Sequence, residues 1–154
     1  MKKAFTLVEM LVVIAIIGIL ATAVIIALGP ARTQAKDSRI RGDVQQMRSL
    51  METYFNMNNF SYSPASCTLG SGTTCTCSTN VQDISNRLSS LCQDIRTQNG
   101  GSTNFSLVAT QNSACISVQL ASGRGLCMDT QGNVKETPTY SACLSTGSNA
   151  GTCP

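Results

Sequence analysis

The segment from Phe5 to Leu28 contains a single charged side chain, Glu9. At about 1.5 Å rise per residue, a helix over this segment is roughly 36 Å long, against about 30 Å of hydrocarbon in a bilayer. A carboxylate within hydrocarbon costs about 2.5 kcal/mol or more unless it is paired, and paired intramembrane charges tend to be functional. The segment therefore predicts a membrane-spanning helix in which the partner of Glu9 is central to function.

The residues before this segment predict its orientation. Lys2 and Lys3 favour a cytoplasmic N-terminus and an exported region after Leu28. A secretory signal peptide has a shorter apolar core and a small-residue cleavage site on its far side, whereas here the small residue Ala4 lies on the near side. The plainer alternative is an uncleaved signal anchor whose Glu9 stays solvated near the cytoplasmic headgroups.

Positions 5–20, with the sequence FTLVEMLVVIAIIGIL, resemble the N-terminus of type IV pilins, including the pseudopilins of type II secretion. The resemblance implies that a membrane prepilin peptidase cuts between Ala4 and Phe5 and methylates the new Phe5 amine. The chain departs from the family at Ala4, where glycine is usual, and at Ile26, where many members have proline. In place of a proline at position 26, Gly29 and Pro30 are expected to be the point where this helix bends most easily.

The same resemblance implies how Glu9 is paired. In the family, the glutamate of one subunit attracts the N-terminal amine of a neighbouring subunit, and joining the two charges in a medium of low dielectric constant removes much of both desolvation penalties. The implied partners are neighbouring pilin subunits in a homo-oligomeric filament, the prepilin peptidase, an assembly ATPase, a membrane platform and, before assembly, the lipid bilayer. No cofactor is implied.

A second helical pattern follows from Ala31 to Asn58, with apolar residues recurring at steps of four and three. Pro30 either bends the junction or lies in the first turn of a restarted helix. The opposite face carries charges of mixed sign, which does not favour a nucleic-acid tract; it is either a solvated face or a contact between subunits. The apolar stripe consists of Ile40, Val44, Met47, Met51 and Tyr54, flanked by Leu50 and Phe55, and the charged face of Arg32, Lys36, Asp37, Arg39, Arg41, Asp43, Arg48 and Glu52.

The remaining residues predict a small globular head. Residues 61–80 are rich in Ser, Thr, Gly and Cys and are expected to be a loop, followed by a helix near 81–97 with Asn80 as its N-cap and Asp83 at N3. Alternating runs at 105–109 and 116–120, a run at 126–128 and a short one at 134–135 predict three or four antiparallel strands. The expected fold is α+β: a long N-terminal helix, transmembrane and then amphipathic, packed on a small disulfide-rich antiparallel sheet. We expect a leader at 1–4, a transmembrane or filament-core helix at 5–28, its amphipathic continuation at 29–58 and the head at 59–154.

Eight cysteines lie in the region expected to be exported, which predicts up to four disulfides. Cys143 with Cys153 is the first expected pair, because the two bracket a small loop and many pilins close their C-terminal region in this way. Cys115 with Cys127, on adjacent predicted strands, is the second. A zinc site of four thiolates is disfavoured because Cys-x2-Cys spacing is absent. The eight candidates are Cys67, Cys75, Cys77, Cys92, Cys115, Cys127, Cys143 and Cys153.

Composition excludes several functions. Histidine is absent, which excludes Ser-His-Asp and Cys-His catalysis, and no paired-carboxylate or phosphate-binding glycine motif occurs, so no enzyme activity and no catalytic residue are expected. Without Lys2 and Lys3 the chain has nine basic and eight acidic side chains, which gives no strong signal for nucleic acid. Three functions remain open: a pilus subunit, a type II secretion pseudopilin, and a membrane-anchored exported binding domain that does not polymerise. The first two end in an extracellular or periplasmic filament after a single-pass stage in the cytoplasmic membrane.

Overall fold

The computed structural model describes residues 6–69, 75–102, 104–145 and 150–154. The chain divides into two compact units, Met1–Thr33 and Gln34–Pro154. Helix α1, Leu7–Met57, contributes to both units, and Pro30 lies inside it. The other elements are β1 (Ser66–Leu69), β2 (Cys75–Ser78), α2 (Gln82–Gln98), β3 (Phe105–Ala109), β4 (Ala114–Gln119), β5 (Gly125–Asp129) and β6 (Val134–Thr137).

In the first unit, the large apolar side chains of α1 are exposed to their surroundings. Between Leu7 and Leu28 their exposed fractions run from 44% to 79%. By length and composition this helix can cross a membrane, with a mean hydropathy of 3.2 over its most apolar window. Side chains of this kind need a non-aqueous environment outside the unit, because exposed apolar surface of this extent is rare on soluble monomers.

In the second unit, α1 buries the predicted stripe. Ile40, Val44, Met47, Met51 and Tyr54 are fully buried, and Leu50 is nearly so. The expected charged face is only partly exposed, because Asp37 and Asp43 are each only 7% exposed. Asp37 accepts a hydrogen bond from the backbone N–H of Ser122, in the turn between β4 and β5, at 3.1 Å.

Helix α2 lies within one residue of the expected range but begins differently. Its N-cap residue is Val81, with no side-chain cap, so the assignment of Asn80 as N-cap is wrong. Thr79 takes the local role instead: its Oγ1 accepts from Val81 N–H at 3.1 Å and forms a 2.9 Å hydrogen bond with the Ser85 hydroxyl. At the other end, Gly101 N–H donates to the Arg96 carbonyl at 2.8 Å while the intervening glycine adopts a positive φ, which is a Schellman end.

The head contains a six-stranded antiparallel sheet in the order β2-β1-β3-β4-β5-β6. The α+β, disulfide-rich fold is therefore confirmed, with more strands than predicted. β1 and β2 lie in the segment expected to be a loop, and they pair from Ser66 with Ser78 to Leu69 with Cys75. Short strands of Ser, Thr and Cys have no apolar alternation, so the sequence pattern did not indicate them.

The two faces of the sheet pack against different partners. One face contributes Leu107, Ile116, Val118, Leu126 and Met128 to the main core, together with the buried stripe of α1 and the inner face of α2. The opposite face carries a smaller buried cluster of Cys115, Cys127 and Cys143. Strands β4 and β5 are consequently buried almost throughout.

Candidate assembly site and the disulfide-bonded head

The Glu9 carboxylate caps the first turn of its own helix. Its Oε2 accepts a hydrogen bond from Thr6 N–H at 2.9 Å and a second from the Thr6 hydroxyl at 2.9 Å, while Glu9 N–H donates to Thr6 Oγ1 at 3.3 Å. This reciprocal arrangement is a capping box, which satisfies backbone donors at the start of a helix. A negative charge there also interacts favourably with the helix dipole.

The sequence contains the signal for this cap. A Thr-x-x-Glu pattern before an apolar run indicates a capping box, and Thr6 to Glu9 fits it. The prediction for Glu9 considered only its charge and a partner from another subunit, so the cap was missed. Both bonds donated to the carboxylate by the described residues end on Oε2, and the side chain is exposed, so the cap leaves the carboxylate accessible.

Ala4 and Phe5, the predicted cleavage and methylation residues, lie outside the described residues. Cleavage between them stays a prediction that rests on the sequence.

All eight cysteines are paired in four disulfides. Both expected pairs are wrong: Cys115 is bonded to Cys143, and Cys127 to Cys153. The other two bridges join Cys67 to Cys77 and Cys75 to Cys92.

The positions of the cysteines on the sheet explain why Cys115 and Cys127 are not bonded to each other. Cys115 and Cys127 lie on neighbouring strands but in different registers, because Cys115 opposes Asp129 while Cys127 opposes Ser117. Their sulfur atoms are only 3.2 Å apart, yet each is bonded to the C-terminal segment. The two expected pairs involve the same four cysteines as the observed bridges, but in other combinations. The spacing of cysteines along the chain does not reveal that residues 138–154 fold back across the sheet.

This C-terminal segment, residues 138–154, also makes polar contacts with the sheet. Cys143 N–H donates to the Ser117 hydroxyl at 3.1 Å, and the Ser113 hydroxyl donates to the Ala150 carbonyl at 2.8 Å. Lys135 Nζ donates to the Pro154 carbonyl. The Tyr140 phenol is close to Ser117, and its burial raises its pKa. The two bridges therefore hold a segment that also forms hydrogen bonds with residues of the sheet and its turns.

Two groups of three cysteine sulfurs are close enough together to hold a metal ion. In each group, one of which is Cys75, Cys77 and Cys92, the sulfurs lie within 4.8 Å of one another. Every member is part of a disulfide, and a disulfide sulfur offers no thiolate to a metal. The closeness of these sulfurs reflects adjacent bridges.

Glu136 on β6 forms ion pairs with an arginine of α1 and with an arginine of the turn between β4 and β5. Arg41 Nε donates to Glu136 Oε1 on β6 at 2.9 Å, and Arg124 approaches Glu136 Oε2 at 3.2 Å. The hydrogen bond to Glu136 raises the pKa of Arg41 further above its usual range. This carboxylate has two cationic neighbours, which fits a structural role.

Comparison with known proteins gives one match. Residues 1–25 match the family model for the prokaryotic N-terminal methylation motif. The chain carries a type IV pilin-like prepilin signal. No curated protein and no solved structure matches the chain significantly. The match covers the residues that carry the resemblance and the capping box, and it describes a precursor that is processed at its N-terminus.

The prepilin signal and the apolar first half of α1 together account for the N-terminal part of this chain. Among the described residues, four disulfides cross-link the second unit, and disulfides are a common means of stabilising small domains in oxidising compartments.

Proposed function

We propose that this chain is the precursor of a structural subunit of a type IV pilus-like filament. Prepilin peptidase cleaves it between Ala4 and Phe5 and methylates the Phe5 amine. The subunit then joins neighbouring subunits through its N-terminal helix, driven by an assembly ATPase and a membrane platform. The match of residues 1–25 to the methylation motif is the observation that carries this proposal.

The apolar first half of α1 supports a membrane stage before assembly. Its exposed side chains require lipid, and later the apolar helices of other subunits. Lys2 and Lys3 favour an N-terminus that stays in the cytoplasm. Four disulfides favour a head that matures in an oxidising compartment outside it. The subunit is thus a single-pass membrane protein before it is assembled into the filament.

The capping box supports a membrane stage in which the Glu9 carboxylate is held before it meets another subunit. Thr6 supplies two hydrogen bonds to the carboxylate, which lowers the cost of keeping it in the bilayer. Among the described residues, none of the ion pairs involves Glu9. A neighbour's Phe5 amine supplies the opposite charge after the leader is removed.

Substitutions at Glu9 separate capping from charge pairing. Glu9→Gln keeps an oxygen that accepts from Thr6 but removes the charge, whereas Glu9→Val removes both. If pairing with an amine drives assembly, both variants are cleaved normally and both fail to enter sheared surface filaments. Normal filaments from Glu9→Gln would show that only the cap matters. Normal filaments from both variants would overturn the role of Glu9 in assembly altogether.

The same helix also serves pseudopilins of type II secretion, which makes a secretion filament the main alternative. The major secretion pseudopilin typically carries a calcium loop near an Asp-Pro-Trp-Gly-like motif, and this chain contains no tryptophan. We therefore favour the pilus. A third function, a non-polymerising anchored domain, requires that residues 1–4 be retained.

A further inference from the structure

Three charged side chains meet where α1 and α2 face each other in the second unit. Arg39 and Asp43 lie on α1, and Asp94 lies on α2. Arg39 Nε donates to Asp94 Oδ2 at 2.7 Å and Arg39 Nη2 donates to Asp94 Oδ1 at 3.1 Å. This two-pronged contact satisfies both oxygens of Asp94 and balances its charge.

Asp43 is the uncompensated member of the group. It is only 7% exposed, and its Oδ2 is buried without a hydrogen-bond partner among the described residues. Both Asp43 and Asp94 line one groove between the helices, together with the uncharged side chains of Ser90 and Thr97. A buried carboxylate oxygen that no donor contacts is costly, so this oxygen needs a ligand that the described residues do not donate to it.

The charged groups that act on Asp43 in the described structure are Asp94 of α2 and Arg39 of its own helix. The pKa of Asp43 is raised to about 6: burial is the largest cause, hydrogen bonding and charge from Asp94 add to it, and the charge of Arg39 opposes it. Burial also disfavours ionisation of Asp94, but hydrogen bonds with Arg39 and Asp43 outweigh it and lower the pKa of Asp94. The two carboxyl groups are thus driven towards opposite protonation states, as expected for a pair that shares one proton.

We propose that Asp43 is a proton-binding site in which its carboxylic acid donates a hydrogen bond to the Asp94 carboxylate, which Arg39 holds from the other side. The proton comes from solvent, which reaches the group through Asp94, whose side chain is 29% exposed. Binding this proton tightens the contact between α1 and α2. Releasing it leaves two carboxylates beside one guanidinium.

Charge balance favours a proton over a metal ion as the ligand. Asp43, Asp94 and Arg39 carry one net negative charge when all three are ionised, and one proton makes the group neutral. A divalent cation at the same place would leave a net positive charge beside the guanidinium, in a partly buried groove.

The direction of the pH effect follows from the raised pKa of Asp43. An aspartate in an unfolded chain titrates near 3.8, and the folded group titrates near 6. The stabilisation from the proton is therefore complete below about pH 3.8 and is lost as the pH rises through about 6. Asp94 has a lowered pKa and acts only at more acidic pH, so the change between pH 4 and 7 belongs to Asp43.

The test compares the full-length chain with Asp43→Asn in detergent micelles, by denaturant unfolding between pH 4.5 and 7.5. In the wild type, the ratio of folded to unfolded chain falls up to about tenfold per pH unit near pH 5, and at most about 100-fold in total. Asp43→Asn removes this loss and is more stable than the wild type at pH 7.5, because its amide donates to Asp94 without carrying a charge. The matched control, Asp83→Asn at an exposed position on α2, keeps the wild-type pH dependence.

Carboxyl-carbon NMR of the wild type provides a second measurement that needs no variant to fold. The Asp43 resonance is expected to titrate near pH 6. A midpoint near 3.8, or equal pH dependence in the wild type and Asp43→Asn, overturns the proposal. So does stabilisation of the wild type but not of Asp43→Asn by Ca²⁺ at pH 7.5, since the ligand would then be a divalent cation.

Discussion

The disulfide from Cys115 to Cys143 is expected to stabilise the head more than the disulfide from Cys67 to Cys77. It joins β4 to the C-terminal segment across 28 residues, whereas the bridge from Cys67 to Cys77 joins β1 to β2 across 10. Alanine at both ends of either bridge removes the cross-link while leaving a small apolar side chain.

The magnitudes follow from the loops that the bridges close. In the chain-entropy description, a 28-residue loop stabilises by about 3.6 kcal/mol and a 10-residue loop by about 2.7 kcal/mol. The double variant Cys115→Ala/Cys143→Ala should therefore lose about 3.6 kcal/mol of unfolding free energy, and Cys67→Ala/Cys77→Ala about a quarter less. Because Cys127–Cys153 still ties the same segment to the sheet, the first variant should stay folded.

Thermal unfolding of the full-length variants in detergent, followed by circular dichroism, measures the difference. The first double variant should unfold roughly 10–15 °C below the wild type. A loss under 1 kcal/mol, or a larger loss in Cys67→Ala/Cys77→Ala, would mean that the C-terminal segment is held by its polar contacts and not by the bridge.

Tryptic digestion without reduction tests the pairing on which this reasoning depends. Trypsin cuts after Arg124 and Lys135, so Cys115, Cys127 and the pair Cys143 and Cys153 fall on three different peptides. The observed pairing keeps all three joined. The pairing expected from sequence spacing would release residues 136–154 as a separate, internally bridged peptide.

Substitutions at three further positions test local features of the second unit by denaturant unfolding. Gly151→Ala should be destabilising and should loosen the C-terminal segment, since Gly151 has a φ of +77° and an added Cβ would lie 2.7 Å from the Ser113 carbonyl oxygen; a neutral result would show that this close approach is wrong. Asp37→Ala should cost about 1–3 kcal/mol because it leaves the Ser122 N–H without its acceptor, and Asp37→Asn, which keeps an acceptor oxygen, should cost less; equal losses would argue against the hydrogen bond. Tyr54→Phe should be neutral or stabilise by about 1 kcal/mol, because the buried Tyr54 hydroxyl has no hydrogen-bond partner among the described residues; a loss above that amount would reveal a partner.

The helical parts of this fold were predictable because their patterns are local. The stripe from Ile40 to Tyr54 follows the period of a helix, and each of its residues is buried against the sheet. The strands β3 to β6 were also indicated, since Leu107, Ile116 and Val118 alternate with residues that face the other side.

The rest depends on contacts between distant parts of the chain. β1 and β2 are strands because they pair with each other and with β3, and their composition alone favours a loop. The disulfide partners depend on where the C-terminal segment crosses the sheet. Burial of Asp43 follows from the docking of α2, which the helical period of α1 does not reveal.

At the N-terminus, one part of the candidate site was predictable from the sequence and another was missed. Glu9 is recognisable as an exceptional charge in an apolar segment. Its capping partner Thr6 was overlooked, although three residues separate the two in a pattern that predicts the cap. Thr6 thus provides hydrogen bonds to Glu9 within the same helix, and the proposed filament provides its cationic partner.

Intact-mass and N-terminal peptide analysis of the chain from sheared cell surfaces tests the central claim most directly. We expect a mature polypeptide that begins with N-methylated Phe5 and is recovered in filaments. A polypeptide that still begins with Met1, extracted from the membrane as dispersed single chains, would contradict it.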